Sequence, residues 1–185
     1  LVIFTSDNGP HEEGGADPTF FGRDGKLQGL KRQCLEGGIR VPFIARWKGQ
    51  VPAGSTNDHQ LAFYDIMPTF AELAGVKDVA KRYRNPRLKN DYFDGISFVP
   101  TLTGKGVQHK HPYLYWEFHE TNQIGVRMGD WKLVVRKGVP ALYNLETDLH
   151  EDHNVAAQHP EIVAKMVDII KKEHTESNLF KVTLP

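Results

Sequence analysis

The sequence predicts an α/β fold, in which part of a mostly parallel sheet flanked by helices precedes a small four-stranded antiparallel sheet with a packed C-terminal helix. A short apolar run at 1–4 is rich in β-branched and aromatic residues and is stopped by a polar Gly/Pro cluster, as a buried parallel strand is, and the run at 41–45 supplies the next strand. Four β-rich runs separated by short turns follow between 113 and 145, which favours an antiparallel meander. An amphipathic segment near the end predicts the helix.

Composition indicates an ordinary globular chain. Its 185 residues are 39% hydrophobic and 25% charged, which is enough for the core of one domain or one and a half. The 23 basic and 23 acidic residues cancel, so composition gives no reason to expect nucleic acid or a membrane surface as a partner. A single cysteine excludes an internal disulfide framework, and no apolar run approaches the roughly 20 residues that span a bilayer.

The first candidate site is the stretch Thr5-Ser6-Asp7-Asn8-Gly9-Pro10-His11, which directly follows the first predicted strand. The carboxyl end of such a strand is where α/β proteins place their chemistry. Asp7 and Asn8 supply hard oxygen donors of the kind that Ca²⁺ or Mg²⁺ takes. The alternative is an Asx turn, in which these side chains bond their own backbone, and this stretch by itself leaves both interpretations open.

A second stretch carries Lys31 and, five residues later, Glu36-Gly37-Gly38-Ile39-Arg40-Val41-Pro42. The glycine pair lets the backbone approach another group closely, and the next strand follows at once. The order and separation of the two stretches resemble the sulfatase family of the alkaline phosphatase superfamily. The resemblance implies an alkaline-phosphatase-like fold and a divalent metal site, usually Ca²⁺ with Mg²⁺ possible, to which Asp7 and Asn8 contribute.

The same resemblance assigns further roles. Lys31 matches the lysine that contacts the sulfate and the leaving-group oxygen. His11 matches a place where family members vary, and it is carried over as a pocket-lining residue near the substrate, the alternative being a solvated loop histidine. Glu36 and Arg40 are expected to hold the loop and strand in place, with no catalytic role.

The family's nucleophile does not occur in this sequence. It is a formylglycine made from a Cys/Ser-x-Pro/Ala-x-Arg motif, and Cys34 lacks both the proline and the arginine at the required spacing. Cys34 is therefore expected to be a half-buried spacer. Because the paired early aspartates are also missing and Leu1 lies within a predicted strand, we expect a fragment of a larger sulfatase that is inactive on its own.

The predicted domains are 1–108, the later part of the catalytic domain, and 109–185, a C-terminal subdomain. Within the first, apolar spacing predicts a helix over 65–75, and the glycine-rich loop 12–26 is expected to be anchored by Phe20 and Phe21. The basic stretch 77–90 is expected to be a solvated loop.

In the second region, strands are predicted at 113–119, 123–128, 131–136 and 141–145, and a helix over 160–175. Two spaced histidine pairs are expected to be surface residues rather than a metal site; they are His109, His111, His150 and His153. Trp116, Glu117 and His119 are candidates for the border of the substrate pocket, because sulfatase clefts take residues from this subdomain.

The resemblance implies a sulfated small molecule or glycan as substrate and a periplasmic or secreted location. The apolar edge at 1–4 predicts that the fragment self-associates. Two other functions remain open. One is a phosphatase or phosphodiesterase of the same superfamily, which would normally hold two transition metals through several His and Asp ligands. The other is a non-catalytic carbohydrate-binding or interaction module.

Overall fold

The computed structural model describes residues 1–18, 20, 27–76, 79 and 93–185. Contacts divide the chain into two compact units, 1–4 with 44–111 and 5–43 with 112–185. The division into a catalytic domain, 1–108, and a C-terminal subdomain, 109–185, stays a prediction. Across the described ranges, no helix combines the length and the apolar character needed to cross a bilayer.

The predicted α/β class is confirmed, with a small antiparallel sheet of four strands and a C-terminal helix. The strands and α-helices in chain order are β1 (Val2–Thr5), α1 (Glu36–Ile39), β2 (Phe43–Arg46), α2 (Ile66–Leu73), α3 (Val99–Thr103), β3 (Leu114–Phe118), β4 (Gln123–Met128), β5 (Trp131–Arg136), β6 (Val139–Asn144) and α4 (Pro160–Glu173). Short 3₁₀ turns lie at Glu13–Gly15 and Phe63–Asp65.

In the first unit, β1 pairs with β2 in a two-stranded sheet. The first strand was expected to be buried, and this expectation is wrong in the described part of the chain, because Val2 and Phe4 are 63% and 64% exposed. Ile44 of β2 is 60% exposed. In the described residues this sheet consists of two strands, and no further layer covers the face that carries these alternate side chains. Phe20, expected to anchor its loop, is 76% exposed. Phe21 lies outside the described residues, and so does the basic stretch 77–90 except for residue 79.

Asp65 organises the start of α2. Its carboxylate accepts hydrogen bonds from the backbone N–H of Ala62 at 2.8 Å and of Ile96 at 2.7 Å, and it lies 2.8 Å from Nε2 of His111. His111 was expected to be a surface residue, but its side chain is only 9% exposed because it pairs with this buried carboxylate. His109, His150 and His153 are exposed, as expected.

In the second unit, β3, β4, β5 and β6 form an antiparallel sheet in that order. One face packs against α4, and its buried core contains Ile124, Val126, Leu133, Val135, Leu142, Met166, Ile169 and Ile170. On the other face, Val134 packs against Cys34 and Leu35. β5 carries the unbroken apolar run Leu133-Val134-Val135 because both of its faces are covered.

Candidate functional site

Two backbone hydrogen bonds join the stretch that carries Asp7 and Asn8 to the stretch that carries Lys31. The N–H of Gly9 donates to the carbonyl oxygen of Gly38 at 2.9 Å, and the N–H of Lys31 donates to that of Pro10 at 2.8 Å. The two sequence motifs are therefore hydrogen-bonded to each other, although 20 or more residues separate them.

Glycine is required where these segments meet. A Cβ placed on Gly9 would lie 1.8 Å from the carbonyl oxygen of Gly37, and one on Gly38 would lie 2.2 Å from that of Gln33. Both distances are far below van der Waals contact with backbone atoms, which cannot move aside as a flexible side chain can. The predicted close approach of the glycine pair is confirmed, and α1 is the helical turn that it forms.

Asp7 and Asn8 present oxygen atoms. Asp7 is exposed, and among the described residues its carboxylate has no hydrogen-bond or ion-pair partner. Asn8 donates Nδ2 to the carbonyl oxygen of Gly9 at 2.9 Å, which leaves its Oδ1 available. Neither side-chain oxygen accepts the backbone N–H bond of an Asx turn.

These two oxygens fit part of a Ca²⁺ or Mg²⁺ site, because both ions prefer oxygen ligands. They do not complete one. Within the described ranges no three His, Cys, Asp or Glu residues cluster as metal ligands, and Ca²⁺ takes about six to eight oxygen atoms. Further ligands would have to come from other groups.

Glu13 contacts the two other candidate residues, Lys31 and His11, but it was not identified as a site residue from the sequence. Its Oε2 lies 2.9 Å from Nζ of Lys31, whose side chain is 32% exposed, and its Oε1 pairs with Arg32. The hydrogen bond from Lys31, with the charges of both cations, holds the pKa of Glu13 below its ordinary value. The N–H of Glu13 donates to Nδ1 of exposed His11 at 3.0 Å, so this nitrogen is the unprotonated one.

Behind the loop lies a buried ionic cluster. The Glu36 carboxylate accepts a hydrogen bond from Nζ of Lys132 at 2.8 Å and from the guanidinium of Arg127 at 2.9 Å. Lys132 is fully buried, and its ammonium lies 5.2 Å from the ring centroid of Trp116. Burial raises the pKa of Glu36, but the two cations lower it below its ordinary value. Glu36 thus has the structural role that was expected, with partners from β4 and β5; Arg40 is exposed.

Glu151 contacts the same turn from the loop after β6. Its Oε2 accepts the N–H of Glu36 at 2.7 Å, while its buried Oε1 has no hydrogen-bond partner among the described residues. Burial raises the pKa of Glu151 to about 7, against the opposing effect of Lys132. Glu151 also has a positive φ of 61°.

Cys34 is more buried than the half-buried spacer that was expected, at 2% exposure. Burial raises the pKa of its thiol to about 11, so the thiolate is scarce at neutral pH. Its N–H donates to Oε1 of Gln123 at 3.0 Å, which ties the loop to β4. Cys34 is a packing residue.

The three candidates for the pocket border have partners within the second unit. Trp116 packs against the buried cluster of Cys34, Leu35 and Val134. Glu117 accepts hydrogen bonds from His174 at 2.7 Å and from Tyr115, and the His119 ring lies 4.8 Å from that of Phe180. Glu117 therefore ties β3 to the end of α4, and the contact of these residues with a substrate stays a prediction.

Comparison with known proteins gives one consistent result. The Sulfatase family model matches residues 1–76. The N-acetylgalactosamine-6-O-sulfatase of Bacteroides thetaiotaomicron is 28% identical over 197 residues, which cover 95% of this chain and 36% of that protein. Arylsulfatase A of Bos taurus is 34% identical over 136 residues, which cover 71% of this chain and 24% of that protein.

The fold agrees as well. The crystal structure of Ps i-CgsB in complex with k-i-k-neocarrahexaose matches with a TM-score of 0.68 and 29% identity, over 92% of this chain and 35% of that one. The chain spans less than two fifths of the length of each of these proteins. The family model, the relatives and the fold therefore confirm the resemblance of this chain to the sulfatase family.

Proposed function

We propose that this chain is the later part of a sulfatase, an enzyme that hydrolyses sulfate esters, with a formylglycine nucleophile contributed by residues outside these 185. Residues 1–108 would belong to the catalytic domain and 109–185 to the C-terminal subdomain. The observation that carries the proposal is the pair of backbone hydrogen bonds, from Gly9 to Gly38 and from Lys31 to Pro10. They hold two oxygen donors and a cationic side chain in one unit.

In the proposed reaction, Lys31 donates hydrogen bonds to the sulfate and to the leaving-group oxygen. An ammonium close to oxygens that gain negative charge stabilises the transition state more than the ground state. In the structure this ammonium pairs with the exposed carboxylate of Glu13. A sulfate ester would therefore exchange with Glu13 for Lys31, and His11 would line the same pocket.

Asp7 and Asn8 would hold the metal ion, with Ca²⁺ first and Mg²⁺ second on the chemistry of their oxygens. The bound ion would supply positive charge that offsets the negative charge of the sulfuryl oxygens. Because these two residues provide a minority of the ligands that Ca²⁺ needs, the 185 residues alone would neither bind it tightly nor turn over substrate.

The relatives support a sulfated glycan as the natural substrate. One relative is named an N-acetylgalactosamine-6-O-sulfatase, and one structural neighbour was solved in complex with k-i-k-neocarrahexaose. A simple aryl sulfate would serve as a probe, as the similarity to arylsulfatase A suggests.

The isolated 185-residue chain should self-associate through its two-stranded sheet. Val2, Phe4 and Ile44 expose apolar side chains there, and strand edges offer unpaired backbone groups to another chain. Sedimentation of the chain across the micromolar range should show dimers or larger species, and a monodisperse monomer would contradict this.

The test uses the full-length protein that carries this chain, with Asp7→Ala, Asn8→Ala and the control Asp58→Ala, which removes an exposed carboxylate from the other unit. After chelation, Ca²⁺ binding is measured by calorimetry, and hydrolysis of an aryl sulfate is compared with that of the matching aryl phosphate. Wild type and Asp58→Ala should bind Ca²⁺ and prefer the sulfate, whereas Asp7→Ala and Asn8→Ala should lose both properties and keep the melting temperature.

Other results identify the alternatives. Preference for the phosphate would indicate a phosphatase or phosphodiesterase. Metal-independent binding of a sulfated sugar without hydrolysis would indicate a binding module. Unchanged Ca²⁺ binding in Asp7→Ala would refute the metal-ligand role.

A further inference from the structure

We infer that Glu151 is a positioning residue, which holds the α1 turn and through it the Asp7-Asn8-Gly9 segment and Lys31. The consequence for catalysis rests on the proposed function, whereas the positioning itself does not.

The first step is the contact between Glu151 and the turn. The N–H of a residue in the first helical turn lacks a partner within the helix, and at Glu36 the carboxylate oxygen of Glu151 supplies one at 2.7 Å. Glu151 comes 115 residues later in the chain, in the loop after β6. A side chain from the loop after β6 thus caps the turn that follows the Lys31 segment.

The second step runs from the turn to the candidate residues. The carbonyl oxygen of Gly38 accepts the N–H of Gly9. The N–H of Gly37 donates to the carbonyl oxygen of Gln28 at 2.7 Å, and Gln28 lies in the segment that leads to Lys31. Since both bonds use backbone atoms of α1, a movement of the turn must displace or break them. The capping bond of Glu151 therefore bears on both sides of the proposed site.

The third step concerns the cost of this arrangement. One buried oxygen of Glu151 has no hydrogen-bond partner in the described part of the chain, and the residue has a positive φ of 61°. Both features are unfavourable in a folded protein. An apolar residue would satisfy packing at this place without an unpaired oxygen, but it could not accept the N–H of Glu36.

A matched pair of variants in the full-length protein tests the inference. Glu151→Gln keeps a side-chain oxygen that can accept this N–H, whereas Glu151→Met has similar length and no such oxygen. Ile170→Val is the control, because it removes one buried methylene from the α4 face of the same unit. Hydrogen exchange followed by mass spectrometry reports on peptides that cover 5–11 and 28–40.

Glu151→Met should speed exchange in both peptides roughly tenfold or more, because a buried N–H loses its acceptor. Ile170→Val should match wild type there, and Glu151→Gln should exchange no faster than wild type. If Glu151→Met does not fold, Glu151→Asp, which is one methylene too short to reach the turn, should show the same faster exchange. Wild-type exchange in Glu151→Met or Glu151→Asp, or equally fast exchange in Glu151→Gln, would overturn the inference.

Kinetics add a second readout. In a wild type that hydrolyses an aryl sulfate, Glu151→Met should lower kcat by roughly 10- to 100-fold with a smaller change in KM, because the reacting groups are misplaced rather than removed. Glu151→Gln should restore kcat, and equal kcat values for the two variants would count against positioning. Faster exchange in a protein that lacks sulfatase activity would keep the positioning role and refute only the proposed function.

Discussion

Replacing Lys132 with methionine should be one of the most damaging single substitutions in the sheet. Methionine keeps most of the side-chain volume but removes the ammonium 2.8 Å from Glu36, at a position with no solvent exposure. Removing one partner of a buried ion pair costs about 3–5 kcal/mol, because the other charge is left without compensation. Arg127 still contacts Glu36 at 2.9 Å, so a loss of about 3 kcal/mol is expected at neutral pH.

The stability difference between Lys132→Met and wild type should change with pH in a defined direction. In wild type the pKa of Glu36 is lowered, so its contribution to stability is present above the ordinary glutamate pKa and is lost as the pH falls. Without Lys132, burial dominates and raises that pKa, so stability is lost as the pH rises. The difference between Lys132→Met and wild type should therefore widen from pH 4 to pH 8.

Urea unfolding followed by tryptophan fluorescence measures the difference, because Trp116 and Trp131 both lie in this sheet. Adding Glu36→Gln to Lys132→Met removes the stranded charge and should recover at least half of the loss. A loss in Lys132→Met that does not depend on pH, together with no recovery in the double variant, would refute the account of the cluster as a compensated buried charge.

Three further predictions concern other positions. Gly9→Ala should lower the melting temperature and Ca²⁺ affinity together, because its Cβ would lie 1.8 Å from a backbone oxygen; unchanged values would contradict the described loop. Glu151→Gln should remove a loss of stability of about 3 kcal/mol that develops as the pH rises from 4 to 8, because burial raises the pKa of Glu151 to about 7, against the lowering effect of Lys132; parallel pH profiles would refute this. Asp65→Asn should cost about 2–3 kcal/mol in thermal unfolding, because its NH₂ would face a backbone N–H donor or His111; a wild-type melting temperature would contradict it.

The elements that the sequence predicted well depend on local signals. The runs that became β4 and β5 were predicted with the observed bounds, because their composition and the Gly129-Asp130 turn between them are local features. α4 begins at the predicted Pro160, which is favoured in a first helical turn.

The errors concern contacts between distant residues. Strand composition at Val2 and Phe4 predicted burial, but burial depends on a covering layer that the local sequence does not describe. His111 looked like a surface histidine because its partner, Asp65, lies 46 residues earlier. In the same way, Lys132 and Glu36 are 96 residues apart, and the one available signal was a lysine within an otherwise apolar strand.

The candidate site shows the same division. Spacing alone left Asp7 and Asn8 open between a metal site and a turn, and the roles of Lys31 and His11 came from the resemblance to sulfatases. Glu13 was missed because its contact with Lys31 depends on the fold of a glycine-rich loop, which composition does not specify.

The central claim is that Lys31 acts on the sulfate, and the most direct measurement is kcat/KM for an aryl sulfate in the full-length protein. Lys31→Ala should lower kcat/KM by roughly 100-fold or more at an unchanged melting temperature, because the interaction is made in the transition state. Lys31→Arg should recover little, because its planar head does not reproduce a compact ammonium. The control Lys165→Ala, which removes an exposed lysine from α4, should behave as wild type. Near-normal kcat/KM in Lys31→Ala, with a lowered melting temperature, would make Lys31 a structural residue and contradict the account.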